Sequence, residues 1–469
     1  MDQKPVAVWV AAGVATVGGV LLAIQSISYA LLVVMGVAAL VVVARKPRWA
    51  APLFLSSATL FARPDVFGNY LAPLSLVLVG ASAVLSIAED VAQSRNPVRA
   101  AEWVVPIWIG IAYAGIVIAV LFGAGTEIDS VGRGVILTVG TLVGCAFVLA
   151  DPIRRILVAK MFVALVGLFT ASYVVSLVLW VTVGVSTIQI GTFDTGVVRE
   201  AQPLFFPFTT TVGSVLVPGD LTLPRFTGFG REPGWMAMYA AFAYFLAPKI
   251  GWTAIPLRAL LLIGLLGTLS TSGFAVFAVV AAYEAFFRYR SEISRASRVL
   301  LRTVGLAAMS ASLWVAFNAP VVGIDAKRTS DRYSYGQRLD STLAGIEAAF
   351  TNPFAGGSAA SIVGGVNLIA SIALYGILFV AAVTAAIWLP RFKHPDRAAT
   401  TAPVAVVFLT LLTAQPPADA TWAYVCVMIA YAATRSRPNG DFASSQSSGS
   451  QSRIAAHRPR RVPTPANES

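Results

Sequence analysis

The chain has 469 residues, of which 57% are hydrophobic and 12% are charged, and its formal net charge is +12. Its mean hydropathy is +0.76. Soluble domains are about 45–50% apolar and about 25% charged, so this composition excludes an ordinary soluble enzyme and predicts an integral membrane protein. The basic residues are scattered through short loops between apolar segments. This pattern is typical of a membrane protein whose orientation is set by loop charges, and not of a nucleic-acid-binding protein.

The apolar segments, taken in chain order, predict an all-α bundle of transmembrane helices. An α-helix needs about 20 apolar residues to cross a bilayer, and we count about 12–14 spans because short segments such as 51–62 and 402–414 can also be re-entrant. The segments lie at about 6–24, 28–44, 51–62, 70–88, 103–122, 133–150, 158–183, 235–248, 254–270, 274–287, 299–317, 366–389, 402–414 and 420–434. We therefore expect one membrane domain over residues 1–434 and a disordered polar tail over 435–469.

The charges predict which way the bundle faces. With a cytoplasmic N-terminus, the inner segments carry 25 basic and 10 acidic residues, and the outer segments carry 9 basic and 12 acidic residues. The positive-inside rule then predicts a multi-pass protein of the plasma (inner) membrane with both termini in the cytoplasm. Two large extracytoplasmic loops remain, at 184–234 and 318–365.

The first outer loop ends in LPRFTGFGREPGWMAMYAAFAYF, which places Arg225, Arg231 and Glu232 directly before an apolar helix. Charges are costly at membrane depth, so these residues either lie outside the hydrocarbon or serve a site. Pro233 suits the first turn of a helix, and the exposed amides at a helix start favour anions. The alternative is that the two arginines only anchor the loop to lipid phosphates, with Glu232 paired to one of them.

The second outer loop contains DAKRTSDRYSYGQRLD, which includes Arg332, Tyr335 and Arg338. Arginine binds phosphate through two parallel hydrogen bonds, and tyrosine offers a flat apolar face with a hydroxyl group. This combination suits a sugar linked to a phosphate. The alternative is a solvated loop of mixed charge.

Three motifs resemble those of the O-antigen ligase and polymerase superfamily. The spacing R-x-x-G-x-x-x-E-P, formed by Arg225, Gly228, Glu232 and Pro233, resembles its first-loop signature. QRLDSTLAGIEAAFTNPFAGGSA resembles the second-loop pattern, in which an arginine precedes an amphipathic helix. GTLSTSGFAVFAVVAAY resembles a Thr-x-Ser-Arg-Gly helix start, although this chain lacks that arginine. The resemblance covers about residues 200–434.

The resemblance implies a glycosyltransferase similar to the C-type lipid-linked enzymes. It would move a glycan from a polyprenyl diphosphate carrier to a lipid-linked repeat unit on the outer face, without a cofactor or a metal. The implied partners are the polyprenyl-diphosphate-linked oligosaccharide, membrane lipids and a chain-length regulator protein. The resemblance implies a catalytic set and a substrate-binding set: Arg225, Glu232 and Arg338 for catalysis, and Gly228, Arg231, Arg332, Tyr335 and Asn367 for binding.

Two other functions remain open. A ligase would transfer the glycan to a protein, lipid or wall acceptor, but ligases of the superfamily carry a His-Asn pair where this chain has Val366-Asn367. Both histidines of this chain, His394 and His457, fall in segments predicted to be cytoplasmic, which favours the polymerase branch. A flippase for lipid-linked oligosaccharides would place charges inside the spans.

The predicted spans contain few charged residues. Glu284 is the clearest acidic residue within a span, and it lies close to Arg288 near the predicted cytoplasmic end. A long side chain there can reach the interface. Cys145 and Cys426 both fall in apolar segments, which predicts that they pack as small hydrophobic residues.

Overall fold

The structure, a computed structural model, describes residues 47–61, 72–121, 128–193, 202–217, 221–230, 232–287, 294–318, 332–354, 366–392 and 394–435. Several predictions concern other parts of the chain. The first two apolar segments, Arg231 and the tail after residue 435 lie outside the described residues.

The described chain is mostly helical. Its first half contains α1 (Ala50–Phe61), α2 (Ala72–Ala92), α3 (Pro97–Ala100), α4 (Val104–Leu121), α5 (Ile128–Gly134), α6 (Gly140–Val148), α7 (Pro152–Thr182) and α8 (Val185–Ile188), and a π-helical turn (Val135–Val139) joins α5 to α6. Its second half contains α9 (Pro233–Leu246), α10 (Ile255–Gly267), α11 (Thr271–Phe287), α12 (Arg295–Asn318), α13 (Arg332–Thr351), α14 (Ser371–Phe392), α15 (Arg397–Thr413) and α16 (Thr421–Arg435). Short 3-10 turns lie at Pro47–Trp49, Ala247–Ile250 and Pro417–Asp419.

Every predicted segment from the third to the fourteenth contains a described helix. Within the described ranges, five helices are long and apolar enough to cross a membrane: Ser75–Ala92, Val104–Leu121, Val131–Val148, Pro152–Thr182 and Ser371–Phe392. Three shorter apolar helices accompany them: Ile255–Gly267, Thr271–Phe286 and Arg397–Thr413. The prediction of a membrane protein with a helical bundle is therefore confirmed.

Two helices form the centre of the bundle. Nearly every residue of α9, and every residue of α16 from Trp422 to Thr434, is buried. A helix that is apolar on all sides can be buried on all sides, which explains why these two occupy the middle while longer helices surround them. Cys145 and Cys426 are buried free thiols, as predicted for packing residues.

Ion pairs cluster at one end of the bundle. We call this end of the bundle the basic end. Arg154 is buried, and its guanidinium donates to Glu89 (2.9 Å) and Asp90 (2.7 Å). Further pairs join Arg95 to Asp151, Lys249 to Glu284, and Arg435 to Glu102. Each pair joins two segments that the charge pattern assigns to the cytoplasmic side.

Two details of this end extend the sequence analysis. Glu284 pairs with the buried Lys249 at 3.5 Å, because the turn after α9 brings Lys249 beside α11. Arg288, which lies close to Glu284 in the sequence, is outside the described residues. The pKa of the Asp151 carboxyl is lowered. Burial alone would raise it, but hydrogen bonds from the Arg154 and Ile153 amides and from the Arg95 side chain outweigh that effect.

The segment predicted to form the first outer loop contains a sheet that was not predicted from the sequence. Strands β1 (Gln189–Phe193), β2 (Gln202–Phe205), β3 (Thr209–Val217) and β4 (Leu221–Phe226) pair antiparallel in the order β1-β2-β3-β4. The expectation of an all-α chain therefore holds for the bundle and not for this loop. Short antiparallel strands satisfy their backbone groups locally and need no long apolar run, so a search for spans does not find them.

The second outer loop contributes α13, which packs along the start of α14. Helix α14 is broken at Gly376, whose φ of +75° is accessible to glycine at low cost. The Ile377 amide that the break exposes donates to the Pro353 carbonyl at 2.7 Å. The end of the second loop is thus bonded into a membrane helix.

Candidate functional site

Strand β4 places Arg225 one residue before the turn that leads into the bundle. Arg225 is half-buried, and the strand is held by β3, whose Thr211 pairs with Phe226. At the start of β3, the buried Thr209 hydroxyl is hydrogen-bonded to the hydroxyls of Ser172 and Ser176 of the long helix α7, each at 2.8 Å. The sheet is therefore fixed to the bundle, and Arg225 has a defined position above it.

The turn after β4 is compact because glycine occupies the two positions where its backbone lies closest to α9. Gly228 has a φ of +56°, and its carbonyl accepts a hydrogen bond from Thr210 at 2.5 Å. A Cβ at Gly228 would lie 2.6 Å from the sulfur of Met236, and one at Gly230 would lie 2.9 Å from the Met236 nitrogen. The structure thus gives Gly228, which we predicted as a substrate contact, a buried place in the turn that brings the loop onto α9.

Glu232 occupies the position directly before α9. Its backbone is extended (φ −141°, ψ 159°), its carbonyl accepts from Trp235 and Met236, and its side chain makes no capping hydrogen bond. The side chain is half-buried, and no ion pair joins it to a residue of the described ranges. The carboxylate is therefore not used to hold the helix start.

A polar cluster lies behind this helix start, within the buried turn that joins α15 to α16. Gln415 is 1% exposed, and its side-chain oxygen Oε1 accepts no hydrogen bond within the described part of the chain. A Cβ at Gly234 would overlap the Gln415 amide nitrogen and would lie 3.5 Å from its Cδ. The same point is 3.9 Å from Ser270 Oγ. Gly234, Ser270 and Gln415 therefore converge at the start of α9.

The residues predicted in the second loop all map to the region of α13. Arg338 is exposed, and Arg332 and Tyr335 occupy earlier positions of the same helix at three-residue spacing. Asn367 is buried: its Nδ2 donates to Thr342 of α13 at 2.9 Å, and its Oδ1 accepts from the Ala370 amide at 2.8 Å.

In the structure Asn367 connects two elements, and its predicted contact with substrate stays a prediction. Both halves of its amide are used within the protein, because the same side chain closes its own turn and holds α13. The next residue continues the connection, since the Leu368 amide donates to the Leu411 carbonyl of α15 at 2.8 Å.

These contacts link the two outer loops through one segment, the end of α15 with the turn that follows it. Helix α13 is bonded to Asn367, the turn after Asn367 is bonded to Leu411, and four residues later Gln415 contacts Gly234 behind Glu232. The sequence analysis missed Gln415 and Ser270. The signal that could have found Gln415 is the Gln-Pro-Pro run at 415–417, which interrupts an otherwise apolar region.

Two other places in the described chain are poorer candidates. A cleft of about 280 Å³ lies at the basic end, but two of its arginines, Arg95 and Arg154, are already paired with carboxylates. His394 is buried there, and its ring nitrogens lie 3.0 Å from the carbonyls of Asp396 and Tyr431, so it is a packing residue. Within the described residues, no group of His, Cys, Asp and Glu could hold a metal ion; that the protein needs none stays a prediction.

Searches of protein-family models, curated proteins and solved structures found no match to this chain.

Proposed function

We propose that the protein is a membrane glycosyltransferase that moves a glycan from a polyprenyl diphosphate carrier to a lipid-linked repeat unit on the outer face of the plasma membrane. The observation that carries this proposal is the linkage of the two outer-loop motifs through Asn367, Leu411 and Gln415. Two loops that only touched lipid would not require a connection of hydrogen bonds and close contacts between them.

In this proposal the oxygen of an acceptor hydroxyl attacks the anomeric carbon of the donor sugar. The new carbon–oxygen bond forms as the bond to the diphosphate oxygen breaks, and the diphosphate leaves with the electron pair. Arg225 and Arg338 stabilise the negative charge that grows on the diphosphate, with Arg231, Arg332 and Tyr335 as further contacts to the donor.

Glu232 takes the proton of the attacking hydroxyl and passes it to water. The position supports this role because its carboxylate is half-buried, does not cap α9 and has no ion pair with a described residue. The amides at the start of α9 lie next to it and favour a nearby anion. No ion pair with a described residue competes with the hydroxyl proton for the carboxylate oxygens.

The two alternatives are less well supported. A ligase that uses a histidine would need one at the outer face, and His394 is buried at the basic end. A flippase would carry charges along a central cavity, whereas the buried charged residues of the described helices, Asp90, Arg154, Arg155 and Lys249, lie at the basic end.

The experiment is to delete the gene and to analyse the lipid-linked glycans. Single repeat units accumulating on the carrier would support the polymerase, long unattached polymer would instead indicate the ligase, and an unchanged glycan profile would refute both. Complementation with Arg225→Ala should lower the polymerisation rate by roughly 10²-fold, because a charge-assisted contact to the leaving group is lost.

Three further variants separate the roles of these residues. Arg225→Lys keeps the charge but loses the paired hydrogen bonds, so it should recover only part of the rate. Glu232→Gln should lose most activity while the protein inserts at normal abundance. Arg199→Ala, in the same loop but outside the motif, is the control. If Arg225→Ala and Glu232→Gln polymerise as well as this control, the stretch is only a lipid anchor.

A further inference from the structure

Gln415 is a buried amide whose side-chain oxygen has no hydrogen-bond partner among the described residues. It is 1% exposed, Oε1 has no hydrogen-bond partner within the described residues, and the side chain lies against the first turn of α9. Buried polar atoms are nearly always paired in folded proteins, so an unpaired one requires an explanation. A ligand that supplies the missing hydrogen bond is one such explanation.

The surroundings of Gln415 indicate what that ligand carries. Oε1 is an acceptor, so its missing partner is a donor, which a phosphate diester or a diphosphate does not offer. The neighbouring Ser270 hydroxyl is buried, and it lies 3.3 Å from the Ser272 hydroxyl. An amide with hydroxyl neighbours suits a group that both donates and accepts, and a sugar hydroxyl is such a group.

The location of Gln415 indicates which sugar hydroxyl it would bind, namely the hydroxyl that attacks the donor. Gln415 contacts Gly234, and Gly234 is two residues from Glu232, the base of the proposed reaction. We infer that Gln415 accepts a hydrogen bond from the acceptor sugar and positions its hydroxyl for attack beside Glu232. This inference rests on the proposed function. It assigns the arginines to the donor diphosphate and Gln415 to the acceptor.

The rest of the turn supports a fixed position for Gln415. Tyr113 and Tyr424 donate to the carbonyls of Ala418 (3.1 Å) and Pro417 (2.6 Å), so the backbone after Gln415 is held from two sides. A loop that is buried and bonded in this way cannot move its side chains to water to satisfy them. Gln415 therefore stays beside α9 whether or not an acceptor is bound.

The test uses purified full-length protein in lipid nanodiscs, with lipid-linked glycan extracted from the deletion strain as both donor and acceptor. Two products are measured: glycan transferred to another glycan, and free glycan released when water replaces the acceptor. A residue that positions the acceptor hydroxyl controls the ratio of transfer to hydrolysis. A residue that only supports the fold changes both rates together.

Gln415→Met keeps the volume and removes both hydrogen-bonding groups, and we expect it to lower the ratio at least tenfold. Gln415→Glu keeps an acceptor oxygen and should have an intermediate ratio, which also covers the case in which the Met variant is unstable. Thr413→Ala is the matched control, because its exposed hydroxyl donates to the Leu409 carbonyl of its own helix and bonds to no other described residue.

The possible outcomes are distinct. An unchanged ratio in both Gln415 variants, whether the rates are normal or equally reduced, overturns the inference and leaves the proposed function standing. No transfer by the wild-type protein overturns the proposed function, and the inference with it. A lowered ratio in the Gln415 variants, with a normal ratio in Thr413→Ala, supports both.

Discussion

Replacing Gly345 by alanine should detach α13 from the bundle, and replacing Gly336 on the same helix should not. A Cβ at Gly345 would lie 2.7 Å from the carbonyl carbon of Ile369 and 2.8 Å from the Cα of Ala370, whereas ordinary contact begins at 3.4 Å. The Ile369 carbonyl oxygen would be closer still, so the helix would have to retreat by more than about 0.7 Å, because all three atoms belong to backbone. A Cβ at Gly336 has nothing within 4 Å.

The comparison of the two variants isolates the cost of this contact. Each replacement gains about 1 kcal/mol of helix propensity, so this gain cancels between them. Overpacking costs about 1–3 kcal/mol, which corresponds to about 5- to 150-fold in the equilibrium between docked and detached α13. Hydrogen exchange of residues 338–351 in purified protein measures this equilibrium directly. Equal exchange in Gly345→Ala and Gly336→Ala would refute the docking of α13 described here.

Three further predictions concern orientation, metal dependence and the basic end. The native cysteines are buried, so an impermeant thiol reagent should react only with an introduced cysteine. Glu347→Cys should be labelled from outside the cell, and Gln93→Cys should be labelled only after permeabilisation. The reverse result would contradict the predicted orientation. Transfer activity should persist in EDTA, and loss of activity restored by Mg²⁺ would assign a metal to the role given to the arginines. Arg154→Ala should destabilise the protein by about 3–5 kcal/mol, because it leaves the Asp90 charge buried without its partner. Arg95→Ala removes an exposed ion pair and should cost about 1 kcal/mol or less. Thermal unfolding in detergent measures both changes. Similar melting temperatures for these two variants would contradict the burial of the Arg154 pair.

The sequence was sufficient to predict the helices but not the sheet. Helices such as Val104–Leu121 and Pro152–Thr182 are long apolar runs, and the bilayer requires such runs, so length and composition alone find them. The strands of the first loop are four to nine residues long and lie in sequence of mixed polarity. No single property of that sequence distinguishes them from irregular loop, and their attachment to α7 through Thr209 joins residues distant in the chain.

The candidate site was predicted in part for a similar reason. Arg225 and Glu232 stand out because charges are rare near an apolar helix. Gln415 does not stand out, because an uncharged residue at the end of a short apolar segment is common at a membrane interface. Its proximity to Gly234 joins positions 181 residues apart in the chain, and only the folded structure brings them together. The same holds for Lys249 and Glu284 at the basic end.

The break in α14 has a consequence for how the second loop can move. The Ile377 amide lies within a helix that is apolar enough to cross a membrane, and the Pro353 carbonyl is its hydrogen-bond acceptor. Hydrocarbon offers no replacement for that carbonyl, and an unsatisfied amide there costs several kcal/mol. The C-terminal end of α13 is therefore fixed to α14, and a motion of α13 relative to the bundle would have to begin at the opposite end, where Arg332 starts the helix.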